Sequence, residues 1–349
     1  MLKILHIHPD QRMAKKFLYP LMKEENRLGY HTKLIVSKKY DSNSLVRKIS
    51  LNILNVLLPF EILKFIFFIY KYKPDIVFFH NSIQSLLPIV FSRLIKIEKR
   101  IYFNHGVPYL GYKGILRYTF LLIEIINIYL TDKSLTVSED MKYYLNKIKK
   151  NTDLIYHGSA CGIDLNLFKY KKKNISKKIK ITYVGRLKKR KGSKILIDLV
   201  NYFNNRNDIE FVFCGFTQEQ FYQLSKKKYS NVKCLGFIND VRDILHEADI
   251  FILPSYHEGL SYAIMEAMAC GKLIMANNIP GINSLIRHGH TGILINDNAS
   301  QLYIKNIEEV FLNRKLVNKF SNQCIKLIKR FDRDKFLIEY SKFLNSIKP

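Results

Sequence analysis

The chain has 349 residues, 48% of them hydrophobic, and a formal net charge of +28. This length suits two α/β domains with an apolar core each, and the composition excludes a disordered or fibrous protein. The charge favours an anionic partner such as nucleic acid, anionic lipid or a phosphorylated substrate. A compositional bias of the source genome would give the same charge without any partner.

Five cysteines, without a C-x-x-C pair or metal-ligand spacing, predict free thiols in a reducing compartment. Residues 1–8 are typical of a first β-strand and not of a signal peptide. Two apolar segments, 51–70 and 115–130, contain charged residues such as Glu61 and Glu124, which are costly inside a bilayer. We therefore predict helices there, no membrane span, and a cytoplasmic protein.

The first half alternates short apolar runs with helical stretches, a pattern typical of parallel sheets with crossover helices. The predicted strands cover 3–8, 32–37, 75–80, 100–105 and 134–138. Helices are expected between them, for example over 15–28 and 51–72. These elements predict an N-terminal Rossmann-like domain over residues 1–166.

A polar, lysine-rich stretch at 167–180 is predicted to be a linker. Strand patterns then resume at 180–184, 209–214, 232–235, 250–253, 273–276 and 291–295. They predict a second Rossmann-like domain over 181–330, and the closing helix, 331–349, is expected to pack back on the N-terminal domain. The expected fold class is α/β, with two doubly wound domains facing a central cleft.

A basic loop follows the first strand of the second half. Gly185 lets the backbone approach a ligand closely, and Arg186 and Lys191 precede a predicted helix, whose N-terminus favours anions. The forked guanidinium of Arg186 and the mobile ammonium of Lys191 together suit a diphosphate ligand. The alternative is that this basic loop is simply solvated and binds no ligand. Neither half has a G-x-G-x-x-G turn after its first strand, which argues against a dinucleotide oxidoreductase.

A second candidate segment follows the predicted strand 250–253. Glu258 lies in the loop after that strand, and Gly259, Leu260 and Ser261 would present N–H groups at the start of the next helix. Glu266 comes about two helical turns later and can point the same way. Carboxylates accept hydrogen bonds from sugar hydroxyls. The alternative is that both glutamates lie on an ordinary helix surface.

The spacing of Glu258 and Glu266, with Gly185-Arg186 and Lys191-Gly192, resembles glycosyltransferase family 4, the retaining enzymes of the GT-B fold. Further matches lie at 158–168, 236–241, 248–255, 278–281 and 289–292, and in the N-terminal half mainly at 104–106 and 137–138. The resemblance thus covers most of the chain and is most specific in its second half.

The resemblance implies a role for each motif residue. Arg186 and Lys191 would hold the donor diphosphate and stabilise the charge that develops on the leaving group. Glu266 would bind the ribose, and Glu258 with the three following amides would bind the donor sugar and diphosphate. His105 would contact the donor sugar and line the reaction centre, although a histidine after a strand often has a structural hydrogen-bonding role.

The resemblance further implies transfer with retention, without a dedicated metal or other cofactor. It does not make the two glutamates the acid and nucleophile of a glycoside hydrolase. Many family members carry glycines after the first strand, where this chain has residues 9–12 without glycine. The N-terminal contacts to the donor, and the acceptor pocket, are therefore left open.

The sequence of residues 158–164 resembles that of a branch of this family whose enzymes build bacterial surface polysaccharides and lipid-linked oligosaccharides. This implies a UDP-hexose or UDP-N-acetylhexosamine donor and a glycan acceptor carried on a polyprenyl lipid. A basic N-terminal domain with apolar helices at 51–72 and 109–130 would then rest on anionic lipid at the inner membrane face. The alternative is that these helices fill the domain core.

Three competing functions remain at this stage. A GT-B nucleotide-sugar epimerase would convert its donor without an acceptor, and the two motifs argue against it. A basic nucleic-acid-binding protein would need exposed aromatic residues interleaved with arginine, whereas most aromatic residues here lie in apolar runs. A catalytically inactive partner subunit is disfavoured because the donor-site residues are intact.

Overall fold

The structure is a computed structural model that describes residues 1–40, 45–50, 58–171, 178–296 and 299–348. The strands are β1 Lys3–Asp10, β2 His31–Lys38, β3 Val46–Lys48, β4 Ile76–His80, β5 Lys99–Asn104, β6 Lys133–Thr136, β7 Thr152–Leu154, β8 Ile179–Val184, β9 Ile209–Cys214, β10 Val232–Cys234, β11 Ile250–Leu253, β12 Leu273–Asn277 and β13 Ile293–Ile295. The helices are α1 Gln11–Arg27, α2 Leu58–Tyr72, α3 Leu86–Leu94, α4 Gly114–Tyr129, α5 Glu139–Asn146, α6 Ser193–Tyr202, α7 Gln218–Ser225, α8 Arg242–Glu247, α9 Tyr262–Ala269, α10 Ser300–Leu312, α11 Lys315–Ile328 and α12 Arg333–Ser346.

The chain forms two compact units, one of Met1–Gly162 with Arg333–Pro349 and one of Ile163–Asp332. The predicted linker, 167–180, includes residues 172–177, and the predicted helix 51–72 includes residues 51–57. Both of these shorter segments lie outside the described residues. The five cysteines are free thiols, as predicted.

The first unit contains a seven-stranded sheet in the order β3-β2-β1-β4-β5-β6-β7, with every neighbouring pair parallel. Strand β4 is buried along its whole length, as expected for a central parallel strand covered on both faces. The strand order reverses between β1 and β4, and ligands of open α/β sheets bind at the carboxyl ends of strands at such a point.

Helix α12 lies in this same unit and contacts α1. The Tyr340 hydroxyl donates a hydrogen bond to the buried carboxylate of Glu25, and the Ser341 hydroxyl lies 2.9 Å from a Glu24 carboxylate oxygen. The C-terminal end of the chain is thereby tied to a helix that follows the first strand.

The second unit contains a six-stranded parallel sheet in the order β10-β9-β8-β11-β12-β13. Its order reverses between β8 and β11, so the loops after these two strands are adjacent. The fold class, α/β with two doubly wound domains, is confirmed. Within the described residues, no helix is both long enough and apolar enough to cross a bilayer.

The predicted strands are all present, with small differences at their ends. The sequence pattern missed β3 and β7, which have three residues each and lie at the two edges of the first sheet. Both contain charged side chains, Arg47 and Lys48 in β3 and Asp153 in β7, so they show no apolar run, unlike the equally short β13.

Candidate active site

The basic loop after β8, residues 185–192, packs closely against neighbouring side-chain and backbone atoms. A Cβ atom at Gly185 would lie 2.5 Å from the Tyr183 hydroxyl oxygen. A Cβ atom at Gly192 would lie 2.1 Å from the carbonyl oxygen of Pro254, and Gly192 adopts a φ of +80°. Position 192 therefore requires glycine, which brings the end of the basic loop against the loop that follows β11, whereas a side chain at Gly185 would have to displace Tyr183.

This close approach brings two of the predicted site residues together. The Lys191 ammonium donates to a Glu258 carboxylate oxygen at 2.5 Å, and the side chains are only 19% and 11% exposed. An ammonium has three donors, so Lys191 can contact a phosphate oxygen while it keeps Glu258 as a partner. The pair therefore combines a cation for an anionic ligand with a carboxylate for hydroxyl groups.

Arg186 lies on the same edge of the sheet and is exposed. The buried Tyr183 hydroxyl donates to its carbonyl oxygen at 3.0 Å, which fixes the backbone of the loop. Burial and the nearby Glu258 carboxylate raise the pKa of Tyr183, whereas Arg186 lowers it. Tyr183 therefore stays a neutral donor between the charged side chains of the site.

Helix α9 begins next to this ion pair. Ser261 caps its N-terminus by accepting from the Ile264 N–H at 3.4 Å. A Cβ atom at Gly281 would lie 2.2 Å from the carbonyl oxygen of Gly259, so the loop after β12 supports the segment that leads into the helix. The partial positive charge of the α9 N-terminus is thus fixed beside Glu258.

Glu266 lies on α9 and is buried, with 2% of its surface exposed. A buried carboxylate requires hydrogen-bond partners, which sets it apart from an ordinary residue on a helix surface. The structure places the other predicted residues of the second unit in the two loops after β8 and β11: Gly185, Arg186, Lys191, Glu258, Gly259, Leu260 and Ser261.

His105 lies in the first unit, directly after β5. Its ring packs on Phe103 and Phe17, with centroid distances of 4.9 and 4.7 Å. Burial, together with the neighbouring His8, lowers the pKa of His105 to about 3, so the imidazole is neutral at physiological pH. Its Nε2 lies 2.8 Å from Nδ1 of His80.

A chain of buried polar side chains continues from His80, and the sequence analysis missed it. His80 Nε2 lies 2.9 Å from His6 Nδ1, and His6 Nε2 lies 2.9 Å from a Glu25 carboxylate oxygen. One signal was present in the sequence for two members of the chain, since the strands predicted over 75–80 and 100–105 end in His80 and His105. Parallel strands place their carboxyl ends at one edge of a sheet.

A second buried cluster holds the loop after His105. Asn104 accepts the Gly106 N–H at 2.8 Å and donates to the Glu124 carboxyl group of α4 at 3.2 Å, while the Tyr102 hydroxyl donates to the same group at 2.9 Å. Burial raises the pKa of Glu124 to about 7, against these hydrogen bonds. Hydrogen bonds between β5, α4 and the Gly106 N–H thereby fix the backbone on either side of His105.

No group of three or more histidine, cysteine, aspartate or glutamate side chains among the described residues could hold a metal ion. The expectation that the protein needs no metal or other cofactor stays a prediction.

Residues 167–327 match the family model of glycosyl transferases group 1. Over 302 residues the chain is 27% identical to the UDP-Gal:alpha-D-GlcNAc-diphosphoundecaprenol alpha-1,3-galactosyltransferase of Escherichia coli, with 76% of each chain covered. Over 296 residues it is 22% identical to the capsular polysaccharide biosynthesis glycosyltransferase CapM of Staphylococcus aureus, with 76% of this chain and 78% of CapM covered.

Solved structures share the fold over the whole chain. Sucrose-phosphate synthase from Thermosynechococcus elongatus superposes with a TM-score of 0.84 at 16% identity, covering 99% of both chains. Anabaena Alr3699/HepE in complex with UDP and glucose gives a TM-score of 0.81 at 18% identity, covering 99% of this chain and all of the other. The family match and these relatives indicate a glycosyltransferase, and the solved structures share its GT-B fold of two Rossmann-like domains.

Proposed function

We propose that the chain is a retaining hexosyltransferase of family 4 that uses a UDP-sugar donor. It transfers a hexose or N-acetylhexosamine to a lipid-linked glycan during synthesis of a bacterial surface polysaccharide, as in lipopolysaccharide or capsule. The observation that carries the proposal is the Lys191–Glu258 pair beside the N-terminus of α9. It offers a cation and helix amides to a diphosphate and a carboxylate to sugar hydroxyls.

Two kinds of relative support the choice of substrates. HepE has been solved with UDP and with UDP-glucose, which supports a UDP-linked donor. The relative from Escherichia coli is named for a UDP-galactose donor and a diphosphoundecaprenol-linked acceptor, which supports a lipid-linked acceptor.

Within this proposal, Lys191 and Arg186 hold the diphosphate and stabilise the negative charge that develops as UDP leaves. Glu258 binds the donor sugar, and Glu266 binds the ribose. His105 contacts the donor sugar from the first unit. The proposal includes no divalent metal, because two cationic side chains and a helix N-terminus already supply positive charge for the leaving group.

The test is a transfer assay with radiolabelled UDP-glucose, UDP-galactose and UDP-N-acetylglucosamine and a polyprenyl-diphosphate-linked sugar as acceptor. We expect one donor to label the lipid product, only when the acceptor is present, with an α-linkage in the product. Conversion of the UDP-sugar without acceptor would favour the epimerase instead. Salt-dependent retention on DNA that is insensitive to Arg186→Ala would favour the nucleic-acid-binding protein.

We further propose that the enzyme works in the cytoplasm and rests on the inner face of the membrane through apolar helix faces of the first unit. On α2, Phe60, Leu63, Phe67 and Tyr70 follow helical spacing and are between 63% and 74% exposed. Helix α4 also exposes large apolar side chains, among them Ile115 and Tyr118. Exposed apolar faces on a strongly basic chain suit an anionic lipid surface.

Cosedimentation with vesicles of phosphatidylglycerol and phosphatidylcholine tests this membrane contact. We expect the Leu63→Glu/Phe67→Glu variant to lose most of its bound fraction, since two charges then enter the apolar face. Leu312→Glu is the matched control, because Leu312 is exposed in the second unit. Equal binding by all three proteins would contradict the proposed membrane surface.

A further inference from the structure

The histidine chain of the first unit consists of Glu25, His6, His80 and His105. These residues come from α1, β1, β4 and the residue after β5, and each link is a direct contact of 2.8 or 2.9 Å. Glu25, His6 and His80 are buried, so their links exclude bulk water. The Nδ1 atom of His105 makes no hydrogen bond to the described residues and forms the end of the chain.

Counting protons along the chain leaves two arrangements. The Glu25 carboxylate can only accept, so it takes the proton of His6 Nε2. If His6 is neutral, its Nδ1 accepts from His80 Nε2, and His80 Nδ1 then accepts from His105 Nε2. His105 therefore carries its proton on Nε2 and presents a lone pair at Nδ1.

If His6 is protonated, each of these hydrogen bonds runs the other way. His6 Nδ1 donates to His80 Nε2, so the proton of neutral His80 lies on Nδ1 and is donated to His105 Nε2. His105 is still neutral but now carries its proton on Nδ1. The same atom thus changes from an acceptor to a donor when one proton is added to His6.

We propose that Glu25, His6 and His80 are positioning residues that couple the charge of His6 to the tautomer of His105. A proton taken up at His105 Nδ1 displaces the Nε2 proton to His80 Nδ1, and the His80 Nε2 proton moves to His6 Nδ1. Each imidazole nitrogen that gains a proton binds it with its lone pair, and each nitrogen that loses a proton regains a lone pair. The positive charge ends on His6, against the Glu25 carboxylate.

The electrostatic setting favours His6 as the place of the charge. Burial lowers the pKa of His80 well below its usual range and that of His105 to about 3, so neither imidazole readily keeps a proton. Burial alone would raise the pKa of Glu25, but the charge and hydrogen bond of His6 and the hydrogen bond from Tyr340 lower it. A carboxylate beside His6 stabilises an imidazolium there.

Four other titratable groups that pack around the chain, His8, Tyr30, Tyr72 and Tyr340, stay neutral between about pH 5 and 8. Burial lowers the pKa of His8 to about 4. Burial and the charge of Glu25 raise the pKa values of Tyr30, Tyr72 and Tyr340. Glu124, whose pKa burial raises to about 7, contacts Asn104 next to His105, so a midpoint that is unchanged in Glu124→Gln assigns the change to the chain itself.

The consequence for transfer rests on the proposed function. The lone pair at His105 Nδ1 can accept a hydrogen bond from a sugar hydroxyl, and the protonated form of the chain removes that acceptor. Transfer should then fall on the acid side as the chain takes up its proton. His80 and Glu25 act only through His105, so they would affect the pH profile without touching the substrate.

The test is nitrogen-15 NMR of the full chain labelled at histidine, recorded without substrate across pH. In the wild type we expect the signal of His105 Nδ1 to change from unprotonated to protonated with the midpoint of His6, while the His105 ring stays neutral. A direct change of His105 to imidazolium, or midpoints that differ between the two residues, would overturn the proposal without any variant.

Glu25→Gln sharpens this test because it removes the countercharge of His6. We expect the common midpoint to move down by about one pH unit or more. His8→Gln is the matched control, since His8 is buried close by but lies outside the chain. An equal shift in both variants, or none in Glu25→Gln, would contradict the coupling.

The acid limb of the transfer rate should move with the NMR midpoint in Glu25→Gln. If the NMR midpoint shifts in Glu25→Gln but the acid side of the pH–rate profile does not, the proposed role of His105 in transfer is wrong, while the coupling through the histidine chain is supported. If no transfer is found at all, the proposed function fails independently of the NMR result.

Discussion

The two polar sites of the molecule are built in opposite ways. In the second unit, the site comes from two short segments, 185–192 and 254–266, each directly after a strand. In the first unit, the histidine chain joins side chains that are 74 and 19 residues apart in sequence. A ligand site made of local loops leaves a motif in the sequence, whereas a chain of single side chains from several elements does not.

The largest expected effect is on the local site. Lys191→Ala removes a cation that contacts the leaving group, so kcat/KM for transfer should fall by about 10²-fold or more. Lys188→Ala is the matched control, because Lys188 is an exposed lysine of the same loop. Similar activity in both variants would show that the loop acts only through its overall charge.

The next effect concerns the backbone that joins the two segments. Gly192→Ala introduces a Cβ atom 2.1 Å from a carbonyl oxygen at a φ of +80°, so the free energy of unfolding should fall by about 4 kcal/mol. Gly289→Ala has a comparable φ of +73° but open space, and should lose only about 1 kcal/mol. Urea denaturation measures both, and equal losses would refute the steric account.

A smaller effect is expected in the first unit, at Glu124. Burial raises its pKa from 4.5 to about 7, so the folded state binds more protons than the unfolded chain between these values. Stability should therefore fall as pH rises from about 4.5 to 7, and the loss should persist above pH 7. Glu124→Gln should remove this dependence. Its free energy of unfolding should therefore exceed that of the wild type by about 2 to 3 kcal/mol more at pH 8 than at pH 4.5.

Denaturation curves of Glu124→Gln and wild type across pH check this expectation. The wild type should approach the stability of the variant below about pH 4, where Glu124 is mostly protonated in both states. Two stability profiles that run parallel over the whole range would mean that Glu124 titrates normally despite its burial.

The sequence predicted most of what is local. Strand β11 is a continuous apolar run, and β8 is an apolar run interrupted by Lys180 and Thr182. Glycines and charged residues that directly follow such strands indicate a ligand site at the strand ends. The prediction failed for β3 and β7, whose charged side chains leave no apolar run. The predicted strand 100–105 ended at His105, and β5 ends one residue earlier, at Asn104.

The remaining features depend on tertiary packing. In the sequence, Glu124 is a charged residue that interrupts an apolar helix, but in the structure it is buried and accepts a hydrogen bond from Tyr102. Glu25 is similarly one of several charged residues in α1, and its partner Tyr340 lies 315 residues further along the chain. Nothing in the spacing of such residues indicates a contact, because the sheet and both helix layers must form before the side chains meet.

The most direct test of the central claim is isothermal titration of the wild type and of Arg186→Ala, Glu266→Ala and His105→Ala with UDP, GDP and ADP. The account predicts selective binding of UDP, abolished by the first two substitutions and retained in His105→Ala, because the nucleotide site belongs to the second unit. Absence of nucleotide binding by the folded protein, or UDP binding unaffected by Arg186→Ala and Glu266→Ala, would contradict it.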